Sequence, residues 1–167
     1  MNIDKSFWEW VPCVSVGPFQ FGTSINNYVK QYELYEEDEY YRKTGEEKVF
    51  PKLCNICDEF ENINEFLTLQ YDHSFTIYTK NFLIDDICIE TYLYYHNHDI
   101  ICSSIDNVMD IIEHSFWDYE DSQEIDDHIQ KIYRFYDMGL TLWTLDNIVV
   151  TAFCDDGKVW TEESKNN

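Results

Sequence analysis

Two cysteines three positions apart, Cys54 and Cys57 in "CNIC", are the first residues in this chain that could do chemistry. Thiolates at that spacing can share a metal ion or cycle with a disulfide. A structural zinc needs two more ligands at matching spacing, and no second CxxC occurs. A thioredoxin-like role wants a strand before the pair and a helix after it, which "FPKLCNICDEF" does not give. His96 and His98 in "YYHNHD" form a second candidate group. On a strand they would face one way, and with His73 or Asp99 they could hold a metal. No motif fixes a third ligand, and histidines on the turn of a polar strand end explain the same tripeptide. The spacing therefore favours no metal and no cofactor. A small metal- or thiol-dependent enzyme using Cys54, Cys57, His96 and His98 is kept as the alternative.

Other catalytic signatures are missing. The chain has no G-x-S-x-G elbow, no G-x-x-x-x-G-K-[ST] loop and no G-x-G-x-x-G loop. Five glycines leave little backbone for cradling phosphates. Among 33 acids, neighbours such as Asp85 and Asp86 are expected from composition, so no carboxylate pair stands out as an acid/base set.

What stands out is acid interleaved with aromatic rings. In "YEEDEYY", Glu36, Glu37, Asp38 and Glu39 lie between Tyr35 and the pair Tyr40, Tyr41. In "FWDYEDSQEIDD", Asp118, Glu120, Asp121, Glu124, Asp126 and Asp127 accompany Phe116, Trp117 and Tyr119. Binding hot spots favour Trp and Tyr, and carboxylates pair with Lys and Arg. Two readings stay open: a partner docks on these segments, or the rings pack inward while the acids are merely solvated. Windows 33–47 and 113–127 carry 12 of the 22 net negative charges.

Eleven Lys and Arg against 33 Asp and Glu give a net charge of -22. That field repels a phosphate backbone, so no direct nucleic-acid binding is expected, and it speeds encounter with a basic partner. Apolar residues make up 44% of the chain, enough to fold. No segment is long and apolar enough to span a bilayer, and "MNIDKSFWEW" is not a signal peptide. Six cysteines without an export signal read as buried free thiols, and the expectation is a cytoplasmic protein.

The elements that must position these residues can be read from periodicity. Ile25, Tyr28, Val29 and Tyr32 form a helical stripe that Thr23 or Ser24 could cap, after a turn freed by Gly22. Glu33 to Glu47 reads as an exposed segment or a frayed helix extension. Residues 65–96 read as a meander of two to four antiparallel strands, with Phe75, Ile77 and Thr79 on one face. A second helix has Ser104 as cap and Ile105, Val108, Met109 and Ile112 as its stripe. Residues 132–153 read as two strands joined at Asp146-Asn147, and the tail 161–167 as loose. The expected fold is α+β: an antiparallel sheet with a few helices, in a single domain over 1–167.

"FWEWVPCVSVGPFQFGTSINNYV" resembles the opening of small bacterial immunity proteins, the antidotes paired with polymorphic and contact-dependent growth inhibition toxins. Trp8 or Trp10, Gly17, Pro18, Phe19, Phe21, Gly22 and Ser24 fill the places of their Trp and of their "vGp–f–FG–s" turn. "FLIDDICIETYLYYHNHDIICSSIDNVMDII" is similar to their strand, strand and helix, with Cys102 where a Gly often follows the Ile. "YDMGLTLWTLDNIVVTAFCDDG" is similar to their closing hairpin, through Gly139, Leu140, Trp143 and Asp146-Asn147. The likeness covers about half of the chain and neither acidic segment. It implies a cognate toxin domain as partner, often a nuclease with a basic channel. It assigns no site residue. A nucleic-acid mimic acting on a host protein is a further alternative that shares the charge argument.

Overall fold

The computed structural model describes residues 5–32, 35–36, 66–71, 75–114, 117–125 and 127–158. Its main body is an eight-stranded antiparallel sheet. One half is a meander of β4 (Tyr35–Glu36), β5 (Phe66–Tyr71), β6 (Phe75–Lys80) and β7 (Leu83–Ile89). The other is a meander of β10 (Tyr119–Ile125), β11 (His128–Phe135), β12 (Leu140–Leu145) and β13 (Ile148–Asp155). The halves meet where β13 pairs with β7, placing Ala152 opposite Ile89, Cys154 opposite Ile87 and Asp155 opposite Asp86.

Alternation along the strands separates the two faces of the sheet. Ile77, Ile87, Ile89, Tyr133, Phe135, Leu140, Leu142, Ala152 and Cys154 belong to one contiguous buried core. The same core takes in Trp10, Val16 and Phe19 from a small sheet of β1 (Trp10–Val11), β2 (Ser15–Val16) and β3 (Phe19–Gln20). It also takes in Ile105, Val108 and Met109 of the helix Ile105–Ile111. A hairpin of β8 (Tyr94–Tyr95) and β9 (His98–Asp99) lies between β7 and that helix in sequence. The Asp99 carboxylate holds this hairpin, accepting from the Leu93 and Ile101 amides at 3.2 and 3.1 Å.

The fold is richer in strands than the sequence suggests. "SINNYVKQY" forms a 3-10 turn, Ile25–Asn27, and one α turn, α1 (Val29–Tyr32), instead of a continuous helix. Two consecutive Asn give little helix propensity, and the Tyr28 amide bonds the Ile25 carbonyl in the tighter pattern. Ser24 makes no side-chain cap, while the Thr23 hydroxyl donates back to the Gln20 carbonyl at 2.7 Å. The second helix, α2 (Ile105–Ile111), forms as expected, and the Ser104 hydroxyl accepts from the Asn107 amide. Residues 35–36 are a strand, not a helix extension. The expected first strand of the C-terminal pair is split into β11 and β12 by a 3-10 turn at Tyr136–Met138, and the Asp146-Asn147 turn has φ of 51 and 68°, as a tight hairpin needs. Cys88 and Cys154 are buried as expected, but Cys13 is half-buried and Cys102 is exposed, both in left-handed turn positions at φ 58 and 63°.

The "VGPFQFG" turn depends on two glycines for different reasons. Phe19 is fully buried against Tyr28 and Tyr32, with ring centroids at 5.3 and 5.2 Å. Gly17 and Gly22 have φ of 52 and 72°. A Cβ on Gly17 would collide with the backbone carbonyl of Phe7, whereas one on Gly22 would meet nothing within 4 Å. Gly22→Ala should therefore cost only the left-handed penalty, about 1–2 kcal/mol. Gly17→Ala adds a backbone collision and should cost more than about 3 kcal/mol. Urea denaturation of both variants checks this; equal losses would contradict the packing around Gly17.

Candidate functional site

Among the described residues, the sequence-predicted acids lie on or beside two strands at opposite edges of the sheet. Glu36 lies in β4, paired with Leu69, while Glu37, Asp38, Glu39, Tyr40, Tyr41 and Asp126 lie outside the described residues. Trp117, Asp118, Tyr119, Glu120, Asp121, Glu124 and Asp127 lie on or beside β10. β4 and β10 are at opposite ends of the strand order. Glu36 on β4 and the acids of β10 therefore lie seven strand spacings, about 34 Å, apart along the sheet.

The β10–β11 hairpin is itself a distinct feature. β11 pairs with β12 only from Lys131 onward, so the stretch from Gln123 to Gln130 extends past the sheet as a ribbon of β10 and β11 alone. Glu124 and Asp127 are exposed on this ribbon, where Ile129 is 69% exposed, and Glu120 and Asp121 are exposed on β10 within the sheet beside it. Trp117 stays 37% exposed while its ring meets the buried Tyr133 edge-on at 4.9 Å. Glu120 pairs with Lys131 at 3.5 Å on the surface, an ion pair of little stabilising value. Asp118 has a structural task instead. Its carboxylate accepts from the Tyr136 amide at 2.7 Å and its own amide bonds the Arg134 carbonyl, which closes the base of the hairpin. Sequence reasoning missed β10 as a strand because it is polar on both faces and so carries no two-residue apolar period.

A second site, absent from sequence reasoning, lies on the face of the sheet turned away from the core. Asp86, Arg134, Thr141, Trp143, Phe153 and Asp155 wall an open cavity of about 190 Å³. They come from four consecutive strands, β11, β12, β13 and β7. The Trp143 and Phe153 rings are tilted against each other at 6.0 Å. Asp155 accepts from the Gly157 amide at 2.6 Å. Asp86 Oδ1 is buried and has no hydrogen-bond partner. Burial, then Asp155 opposite it and Asp85 beside it, push the Asp86 carboxyl up to about 7, against the opposing pull of the Ile87 amide.

The histidines do not form the set that the tripeptide suggested. His96 sits at φ 49° in the two-residue turn of the β8–β9 hairpin, so it does not alternate with His98 along one strand. Both line an open groove with Asp110, Ile111 and Glu113. Asp99 is committed to its backbone amides. Among the described residues no group of three or more His, Cys, Asp or Glu is placed to hold a metal ion. Cys54, Cys57 and His73 lie outside the described residues. Comparison of the chain with protein-family models, curated proteins and solved structures gives no significant match.

Asp86 carries a consequence for stability. Its folded value lies above the usual 3.8, so the folded state holds the proton more tightly than the unfolded chain. The stabilisation is present below about pH 4 and is lost as pH rises through about 7. Asp86→Asn, which mimics the neutral acid, should exceed the parent's stability by only about 1–2 kcal/mol near pH 5, because the unfolded chain already ionises there. At pH 8 it should exceed the parent by on the order of 3–4 kcal/mol. Urea midpoints at both pH values check this, and parallel pH profiles would contradict it.

Proposed function

We propose that this chain is an immunity protein that binds and neutralises one basic toxin domain in the cytoplasm, by binding and not by catalysis. The observation that carries the reading is the β10–β11 hairpin. It projects past the sheet, exposes Glu120, Asp121, Glu124 and Asp127, and keeps the apolar Trp117 and Ile129 in reach of solvent. Exposed acids beside a half-exposed Trp are what a basic partner's interface selects. The same acids discourage the exposed edge of β10 from pairing with another copy of the chain, so specificity and solubility point the same way.

The net charge of -22 and the likeness of the opening "VGPFQFG" turn to immunity proteins add to this reading. A nuclease, whose channel is basic to hold phosphates, is the toxin class that such a surface would occupy. No helix among the described residues is long and apolar enough to cross a membrane.

The partner should be the variable C-terminal domain of a large exported protein encoded beside this gene. Co-expression with that domain should restore growth, and equal killing with and without this chain would reject the reading. In the purified pair, the combined change Glu120→Gln, Asp121→Asn, Glu124→Gln and Asp127→Asn should slow association and flatten its salt dependence. Asp118 is left intact because it closes the hairpin base. Trp117→Ala should weaken affinity by about 2 kcal/mol, mainly through faster dissociation. Unchanged kinetics in folded variants would move the interface off the hairpin. Capture of many unrelated basic proteins at physiological salt would favour a general nucleic-acid mimic over a dedicated antidote.

A further inference from the structure

Asp86 and Asp155 stand directly opposite each other on β7 and β13, at the middle of the sheet. Like charges at paired positions destabilise a sheet, and this pair is also partly shielded from water. Asp86, whose carboxyl is pushed up to about 7, relieves the repulsion by keeping its proton below neutral pH, but its Oδ1 remains buried with no partner. Beside the pair opens a cavity of about 190 Å³, closed on its other sides by Trp143, Phe153, Thr141 and Arg134.

We propose that this cavity receives one arginine or lysine side chain of the protein partner, with its cationic head at Asp86 and Asp155 and its apolar stem along Trp143 and Phe153. The inference rests on the reading of the chain as a binder of a basic protein, and it adds a specificity pocket on a surface separate from the projecting hairpin.

Size, chemistry and polarity all fit. A cavity this small admits a single extended side chain and excludes a folded segment. A cation at the acid pair satisfies the unpartnered Oδ1 and removes the like-charge repulsion in one step. Tryptophan offers the best ring face for a cation or for the methylenes that carry it. Arg134 gives the pocket direction. It is in register with Thr141, Thr141 with Phe153, and Phe153 with Cys88. Its strand therefore lies three spacings, about 14 Å, from β7. A cationic head is repelled from the Arg134 wall and drawn to the acid wall.

Binding is linked to protons. The groups around Asp86 are Asp155 on β13, Asp85 beside it, Tyr78 opposite it on β6, Cys88 on its own strand, Arg134 at the far wall, and Cys154 on the core side of the sheet. With Asp86 titrating at about 7, a cation favours its ionised form, and binding releases up to one proton to solvent below pH 7 and about half a proton at pH 7.

The test uses the full chain and ethylguanidinium as probe, with ethylurea as the neutral control, followed by NMR at the Asp86 carboxyl carbon and the Trp143 indole N–H. Ethylguanidinium should give saturable shifts at both groups, and ethylurea none. Affinity should rise about ten-fold from pH 6 to pH 8, the change in ionised fraction of a carboxyl titrating near 7. Asp86→Asn should abolish the pH dependence, and Asp155→Asn gives a second variant should the first fail to fold. Equal affinity at the two pH values, shifts confined to surface acids such as Glu120, or no saturable shift at Asp86 would each overturn the proposal. No toxin enters this experiment. Probe binding without protection against the toxin would reject the immunity reading alone; protection without probe binding would reject the pocket alone.

Discussion

The pairing of β13 with β7 is the constraint on which the rest of the structure depends. Each meander can assemble from local hairpins, but the buried core is shared, taking residues from both meanders, from α2 and from the small sheet β1–β3. The splice puts Ile87 and Ile89 beside Cys154 and Ala152 on the core side, all fully buried. The segment leading into α2 is tied to the other end of β13. The Cys102 amide bonds the Val149 carbonyl, and the Ile105 amide bonds the Asn147 carbonyl. Alternation then leaves no choice on the other face. The register that buries Cys154 and Ile87 also sets Asp155 against Asp86. Apolar burial behind the sheet holds together two carboxyls that would otherwise separate, and the strain is kept at one spot.

The carboxylates of this acidic chain thus divide by physical role. Asp99 and Asp118 are backbone clamps, each accepting from amides at the ends of elements. Glu120, Asp121, Glu124 and Asp127 are solvated and form the charged rim of a projecting hairpin. Asp86 is buried and titrates near neutrality. A net charge of -22 reports none of this partition. In the proposed function it would supply the long-range field that draws in a basic partner, with Trp117 and Ile129 of the hairpin and the cavity's rings supplying short-range contact.

Local signals were legible in the sequence, and non-local ones were not. Ser104 announces its helix because a cap is a contact between near neighbours, and Asp146-Asn147 announces its turn for the same reason. The alternation of Ile77 and Thr79 against Thr76 and Tyr78 reveals β6 because one face is buried. β10 gives no such signal, since an edge strand with polar residues on both faces has no apolar period. The Ile25 to Tyr32 stripe has helical spacing, yet its burial comes from packing on Phe19 and needs no continuous helix. Asp86 was hidden by composition: among 33 acids, an Asp-Asp pair draws no attention until a strand from far along the chain is laid beside it.

The central claim is that the partner meets the hairpin and the outer face of the sheet, and not the layer of α2 and β1–β3. Amide hydrogen exchange of this chain, alone and with the proposed basic partner domain, tests that most directly. The account predicts added protection in residues 119–125, along the outer edge of β10, and slowed opening around 86–88 and 153–155, with α2 unchanged. Protection confined to α2 or to residues 10–20, with β10 exchanging as in the free protein, would contradict it.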